Sequence, residues 1–297
     1  MKNALFIIFI LFICAFKPAD QTSFIDYAFE RGNNIYYHIY NVNKLIEIKE
    51  ARDPNLSPDG LKLAFKKNVS KKTENFSQIK IFYFKSDSTY TINIKSSING
   101  SPKWSPDGSV LGFTTQSSGE LSLSTYDSTA TVKSTKPAIK SDGIVDFYWL
   151  DDGKSYSVND FDSLWVLDNY GKVKQSFEMY KITKGKWFVL PTTMFMTQND
   201  FYFGAYNDKA KHKLFVDGPA AIYKYTFLKD KLVKLTNNEI LCMSIFIKQG
   251  NSIYVSAWSN TKCRSHCIYK VDNKGTRIVL KDAMNLTLAR HNSLERL

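Results

Sequence analysis

"NLSPDGLKLAF" occupies residues 55–65 and "KWSPDGSVLGF" occupies 103–113, so one pattern returns 48 positions later, from Gly60 to Gly108. Ser57-Pro58-Asp59-Gly60 places Ser first, Pro second and Gly fourth, the preferences of a type I β-turn in which Pro presets its own φ. After the turn the chain alternates, with Leu61, Leu63 and Phe65 on one face and Lys62 and Ala64 on the other. Each copy therefore reads as a strand end, a tight turn and a second strand. A degraded third copy, "YWLDDGKSYSV" at 148–158, keeps the Trp and the Asp-Gly and loses the Ser-Pro; Gly153 follows Gly108 by 45 positions.

A period in the mid-forties with four short strands per unit predicts propeller blades. Blade 2 continues with "QIKIFYF" and "YTINIK", blade 3 with "ELSLSTY" and "ATVKS", and blade 4 with "SLWVLD" and "VKQSFEM". The turn motif then disappears while the rhythm persists. "TMFMTQNDFYFGAYN" and "AAIYKYTFLKDKLVKLT" supply blade 5; "MSIFIKQGNSIYVSAW" and "CIYKVDNKGTRIVL" supply blade 6. The start, "FIDYAFERGNNIYYHIYNVNKLIEI", holds second, third and fourth strands without a first, and "AMNLTLARH" near the end is a lone strand. Joining Met284–Ala289 to Phe24–Phe29 completes a sixth blade and removes the open sheet edges. The expected fold class is all-β, a six-bladed β-propeller over 21–297 closed by a C-terminal strand.

"WSPDG" followed by an apolar strand, a polar loop and "IYK-VD" resembles the WD-like repeat of the TolB-type six-bladed β-propellers. The resemblance covers nearly the whole chain after residue 20. TolB itself carries an additional N-terminal α/β domain, for which this sequence leaves no room.

The chain has 297 residues and a formal net charge of +12. In "MKNALFIIFILFICAFKPAD" a 13-residue apolar run, Ala4 to Phe16, follows Lys2. That is shorter than the roughly 20 residues that span a bilayer and fits a secretory signal peptide over 1–20. Cleavage after Ala15 is expected, with Cys14 as an alternative lipid-anchored first residue. No later run is long and apolar enough to cross a membrane. The reading is a periplasmic or secreted monomer; export argues against a nucleic-acid partner despite the charge.

Asp59, Asp107 and Asp152 recur beside Gly60, Gly108 and Gly153. A carboxylate at the third turn position accepts nearby backbone N–H groups, so these six are read as structural turns rather than a catalytic ring. The histidines are His38, His212, His266 and His291; no zinc-hydrolase, Gly-x-Ser-x-Gly or phosphate-loop motif accompanies them. No catalytic residue, metal or cofactor is assigned. "CRSHC" at 263–267 offers two thiols and His266, one ligand short of a zinc site, and an oxidising compartment favours a Cys263–Cys267 disulfide across a loop.

Connections between second and third strands are expected to emerge on the same face as the connections between blades, and several are basic. Blade 2 brings Lys66, Lys67, Lys71 and Lys72; blade 5 brings Lys209, Lys211, His212 and Lys213; blade 6 brings Lys262 and Arg264. Long loops on a rigid scaffold are where binding residues concentrate, and a basic rim attracts an anionic partner. The expected function is a non-enzymatic binding module or scaffold of the cell envelope, with a protein or anionic glycan partner. The alternative is a carbohydrate-active enzyme, a lyase or hydrolase, with its site at the central channel.

Overall fold

The computed structural model of the protein describes residues 23–40, 42–71, 74–94, 97–98, 100–117, 120–126, 132–135, 146–160, 162–188, 194–206, 221–236, 241–249, 252–259 and 263–289. Its strands form six antiparallel sheets. Blade 1 holds β1 (Ile25–Arg31), β2 (Asn34–Ile39) and β3 (Val42–Ile48). Blade 2 holds β4 (Ala51–Leu56), β5 (Lys62–Lys71), β6 (Glu74–Tyr83) and β7 (Ser88–Thr91). In blade 3 the innermost strand is split into β8 (Ser97–Ile98) and β9 (Lys103–Trp104), both paired with β10 (Leu111–Ser117); β11 (Glu120–Tyr126) and β12 (Val132–Thr135) follow. Blade 4 holds β13 (Asp146–Trp149), β14 (Ser155–Asn159), β15 (Ser163–Asp168) and β16 (Val173–Glu178).

A short helix, α1 (Met179–Thr183), leads to blade 5. Its innermost strand is again split, β17 (Trp187–Phe188) and β18 (Met194–Met196), both on β19 (Asp200–Tyr206), with β20 (Ala221–Thr226) and β21 (Lys231–Lys234) outside. Blade 6 holds β22 (Leu241–Gln249), β23 (Ser252–Ser259), β24 (Cys263–Asp272) and β25 (Gly275–Lys281). The chain then returns as β26 (Met284–Leu288), which pairs antiparallel with β1 through Tyr27↔Leu288 and Ala28↔Thr287. The Ala289 N–H donates to the Asp26 carbonyl at 2.9 Å. The expected closure is present: blade 1 is ordered β26-β1-β2-β3.

The core is divided by the blades. One apolar cluster fills each interface between neighbours, from Leu63 and Phe65 against Ile25, Ile35 and Tyr37 to Phe29 and Leu286 against Tyr254 and Ile268. The alternation after the first turn motif now has a cause. Leu63 and Phe65 face blade 1, whereas Ala64 faces Trp104, Leu111 and Phe113 of blade 3. A strand between two packed sheets buries both faces, which is why the first half of β5 carries apolar side chains on each.

Two expectations are corrected. The basic stretch around Lys66 and Lys67 is not a loop: β5 and β6 stay in register from Lys62↔Tyr83 to Lys71↔Glu74. "CRSHC" is likewise the start of β24 rather than the connection before it, with a bulge where the partner advances from Trp258↔His266 to Ser259↔Cys263. Among the described residues no helix is long and apolar enough to cross a membrane.

Candidate functional site

The repeated turns form a stack at one end of the blades. In each the Asp carboxylate is held locally: Asp59 accepts from Ser57 Oγ at 2.6 Å and the Leu61 N–H at 3.0 Å, and Asp107 accepts from Ser105 Oγ at 2.6 Å and the Ser109 N–H at 3.0 Å. Asp152 takes the N–H groups of Lys154 and Ser155, both at 2.8 Å. The Ser105 hydroxyl and the Ser109 donors hold the Asp107 carboxyl below the usual carboxylate range despite partial burial. For Asp152 partial burial pushes upward, and the Lys154 and Ser155 donors together with the Lys174 charge outweigh it and lower it. The glycines are needed on two counts. Gly108 has φ +72°, and a Cβ there would lie 3.1 Å from Pro58 Cδ of the preceding blade; at Gly153, φ +64°, a Cβ would lie in ordinary contact, 3.9 Å from Pro106 Cδ. The turns of blades 3 and 4 thus seat their glycines on the proline of the previous turn, while Gly60 faces Phe24 and the Ile25 carbonyl of blade 1. The Lys62 ammonium adds to the blade 2–3 contact by donating to the Gly108 carbonyl at 2.7 Å over the Trp104 ring.

Further along the innermost strands, one position recurs, two residues before the turn in blades 2 and 3 and at the matching register of the closing strand in blade 1. In blade 1 it is Thr287, whose hydroxyl accepts the Leu56 N–H of blade 2 at 2.9 Å. In blade 2 it is Asn55, whose Oδ1 accepts the Trp104 N–H of blade 3 at 2.7 Å. In blade 3 it is Lys103, whose ammonium donates to the Phe147 carbonyl of blade 4 at 2.7 Å, while the Trp149 indole donates back to the Lys103 carbonyl. A side chain of one blade thereby satisfies the unpaired backbone edge of the next, where a buried orphan group would cost stability.

A set of charged and polar groups lies on the innermost strands and on the strands beside them. Asp53 and Asn285 occupy equivalent bulged positions with φ of +53° and +49°, a conformation that Asp and Asn tolerate better than most residues. Buried Glu30 accepts the Asp53 N–H at 3.0 Å and Asn285 Nδ2 at 2.9 Å. Lys66 pairs with Asp53 at 2.5 Å and Lys103 with Asp146 at 2.5 Å. The Lys103 ammonium also sits 3.9 Å from the Tyr148 ring centroid. Burial lowers its basicity and the Asp146 carboxylate opposes that shift.

The sequence-derived binding face is only partly visible. Lys66 is half-buried and consumed by Asp53, so it is not a rim charge. Lys67 lies on β5 opposite Ala51 and Gln78. Lys71 is the last residue of β5 and Arg264 the second of β24, and their side chains lie outside the described residues, as do Lys72, Lys209, Lys211, His212, Lys213 and Lys262. Residues 1–20, where a leader is expected, and Cys14 among them, are also outside the described residues. Cys267 is fully buried and disulfide-bonded. His38 is half-buried with Nδ1 2.9 Å from an Asp26 oxygen, stacked on Tyr27. The residues missed from sequence are Thr287, Asn55, Lys103 and Glu30. The available signal was the fixed offset of Asn55 and Lys103 from the Ser-Pro-Asp-Gly turns.

No protein-family model matches the sequence, and neither does any curated protein. Solved structures do match. TolB from Acinetobacter baumannii aligns with a TM-score of 0.59 at 15% identity, covering 94% of this chain and 70% of that one. The β-propeller domain of the Trilobed protease from Pyrococcus furiosus gives 0.52 at 15% identity over 77% of this chain and 70% of that one; it is described as having an open velcro topology, whereas here β26 closes the ring. Acylaminoacyl peptidase from Pyrococcus horikoshii gives 0.52 at 15% identity, with 77% of this chain spanning 39% of the peptidase. The chain is a six-bladed β-propeller with the fold of TolB.

Proposed function

We propose that the protein is an exported cell-envelope propeller acting as a non-enzymatic binding module or scaffold for a protein or anionic glycan partner. The observation that carries this is the state of the carboxylates on and beside the innermost strands. Asp53 is engaged by Lys66, Glu30 by Asn285 and a backbone N–H, and Asp146 by Lys103. A general acid or base needs a carboxyl group placed to exchange a proton with substrate; here Glu30 and Asp146 are spent on joining neighbouring blades and Asp53 on joining two strands of blade 2. The binding surface on this reading is the end of the blades away from the turn stack, where the connections between second and third strands emerge. Strand β5 ends there at Lys71 and β24 begins there with Arg264 as its second residue; from their sequence positions, Lys72, Lys209, Lys211, His212, Lys213 and Lys262 are assigned to the same face on this reading. Signal cleavage near Ala15, or lipidation at Cys14, would deliver the propeller to the periplasm or beyond.

The test replaces Lys71, Lys72, Lys211 and Lys213 with Glu and measures retention on immobilised dextran sulfate and capture of partners from envelope extract. Retention and capture should fall strongly at low salt and less at high salt, because exposed charges are screened within about 8 Å at about 0.15 M. Equal binding by variant and parent at low salt overturns the reading. Turnover of an oligosaccharide by the parent, lost on Lys103→Met, would establish the channel enzyme instead.

A further inference from the structure

The helix α1, the connection between blades 4 and 5, and the outer turn of blade 5 build a second basic surface from residues other than those considered above. The turn is a short 3-10 segment, Phe227–Lys229, between β20 and β21. It is fastened to α1 at both ends. Before the helix, the Phe177 ring lies 4.7 Å from that of Phe227; after it, Lys184 pairs with Asp230 at 2.5 Å. Two of the most exposed large apolar side chains of the described residues project from this unit: Leu228 at 86% and Tyr180 at 74% of full exposure. Around them, residues 178–186 and 224–236 contain seven lysines and no arginine against two carboxylates, Glu178 and Asp230. Both carboxylates are already bridged, to Lys181 and Lys184. Lys229, Lys231 and Lys234 are exposed.

We propose that this corner of blades 4 and 5 docks on an anionic phospholipid surface, with Tyr180 and Leu228 entering the headgroup region and the lysines facing lipid phosphates. The chemistry distinguishes a membrane from a protein partner. Protein interfaces bury a contiguous patch of about 800 Å² per side and are enriched in arginine and depleted of lysine. Here the apolar side chains protrude singly and every cation is a lysine. Isolated apolar residues flanked by lysine, with an amphipathic tyrosine at headgroup level, suit a lipid interface. Lysines near an anionic surface add attraction, roughly fivefold in partitioning for each. The inference shares no residue with the proposed loop face, so either can fail alone.

The experiment is co-sedimentation of the purified chain without its leader with sucrose-loaded vesicles of phosphatidylglycerol mixed with phosphatidylcholine, against phosphatidylcholine alone, at about 0.15 M salt. The parent should bind the anionic vesicles only. Tyr180→Asp/Leu228→Asp should lower partitioning at least about tenfold, and Lys229→Glu/Lys231→Glu/Lys234→Glu should do likewise. Lys49→Glu/Lys85→Glu/Lys274→Glu makes the same change in net charge on exposed turns of blades 1, 2 and 6 and should stay within about twofold of the parent. All these side chains are exposed, and circular dichroism and melting curves confirm that each variant is folded. Equal binding to both vesicle types overturns the proposal. So does an apolar variant that binds like the parent, which would make the surface a general polyanion site, or an equal loss in the two lysine triples, which would reduce the effect to net charge.

Discussion

At the residue scale, the repeated carboxylates do their work inside the turns. Asp107 accepts from Ser105 Oγ, Ser109 Oγ and the Ser109 N–H, and those donors lower its proton affinity. Asp107→Ala should therefore cost about 1 kcal/mol at neutral pH, on the scale of lost side-chain hydrogen bonds. The sign of the pH dependence follows from the lowered folded-state pKa. The stabilisation is fully present above the unfolded carboxyl value of about 3.9 and fades as pH falls through the lower folded value. Melting curves of parent and variant should differ at neutral pH and converge in acid. A gap that stays constant into the acid range would mean the carboxylate is not the source. Binding to dextran sulfate should be unaffected.

At the element scale, the bulge at the start of β24 brings two cysteine positions close. Cys263 lies opposite Ser259 and Cys267 opposite Ala257, two steps apart on β23 and so on the same side, while Cys242 pairs with Ala257 from the far strand. Partners in a disulfide have Cα atoms roughly 4.4–6.8 Å apart, a span two strand steps match and two inter-strand spacings exceed. Cys263 is thus the expected partner of Cys267. Alkylation of a chain spanning residues 21–297 should block Cys242 alone before reduction and all three cysteines after it. Blocking of Cys263 without reduction would contradict the pairing.

The same scale shows what could be read from the sequence. Strands around the Ser-Pro-Asp-Gly turns were legible because the turn chemistry and the alternation agree. The far half of the β5–β6 hairpin was not: apart from Val69, residues from Lys66 to Glu74 are polar, a pattern shared by loops and by strands that outrun the core. Helix α1 has five residues, too few to show a period. The splits in the innermost strands of blades 3 and 5 likewise leave no signal, because each piece is only two or three residues long. The contacts of Thr287, Asn55 and Lys103 became visible only once neighbouring blades were in register.

At the scale of the whole molecule, each blade depends on its neighbours. The apolar clusters lie between sheets rather than within one, and the charged and polar groups of the innermost strands bind the next blade's backbone. Nothing in such a ring is stable alone, and the weakest link is where the chain ends meet. Strand β26 supplies that link: Thr287 reaches Leu56 in blade 2, and Leu286 and Leu288 pack against blade 6. The most direct measurement is the melting curve and size-exclusion profile of the chain with residues 283–297 deleted. The closed-ring account predicts two exposed strand edges, hence aggregation or a melting transition far below that of the parent. A monomer with an unchanged transition would contradict it.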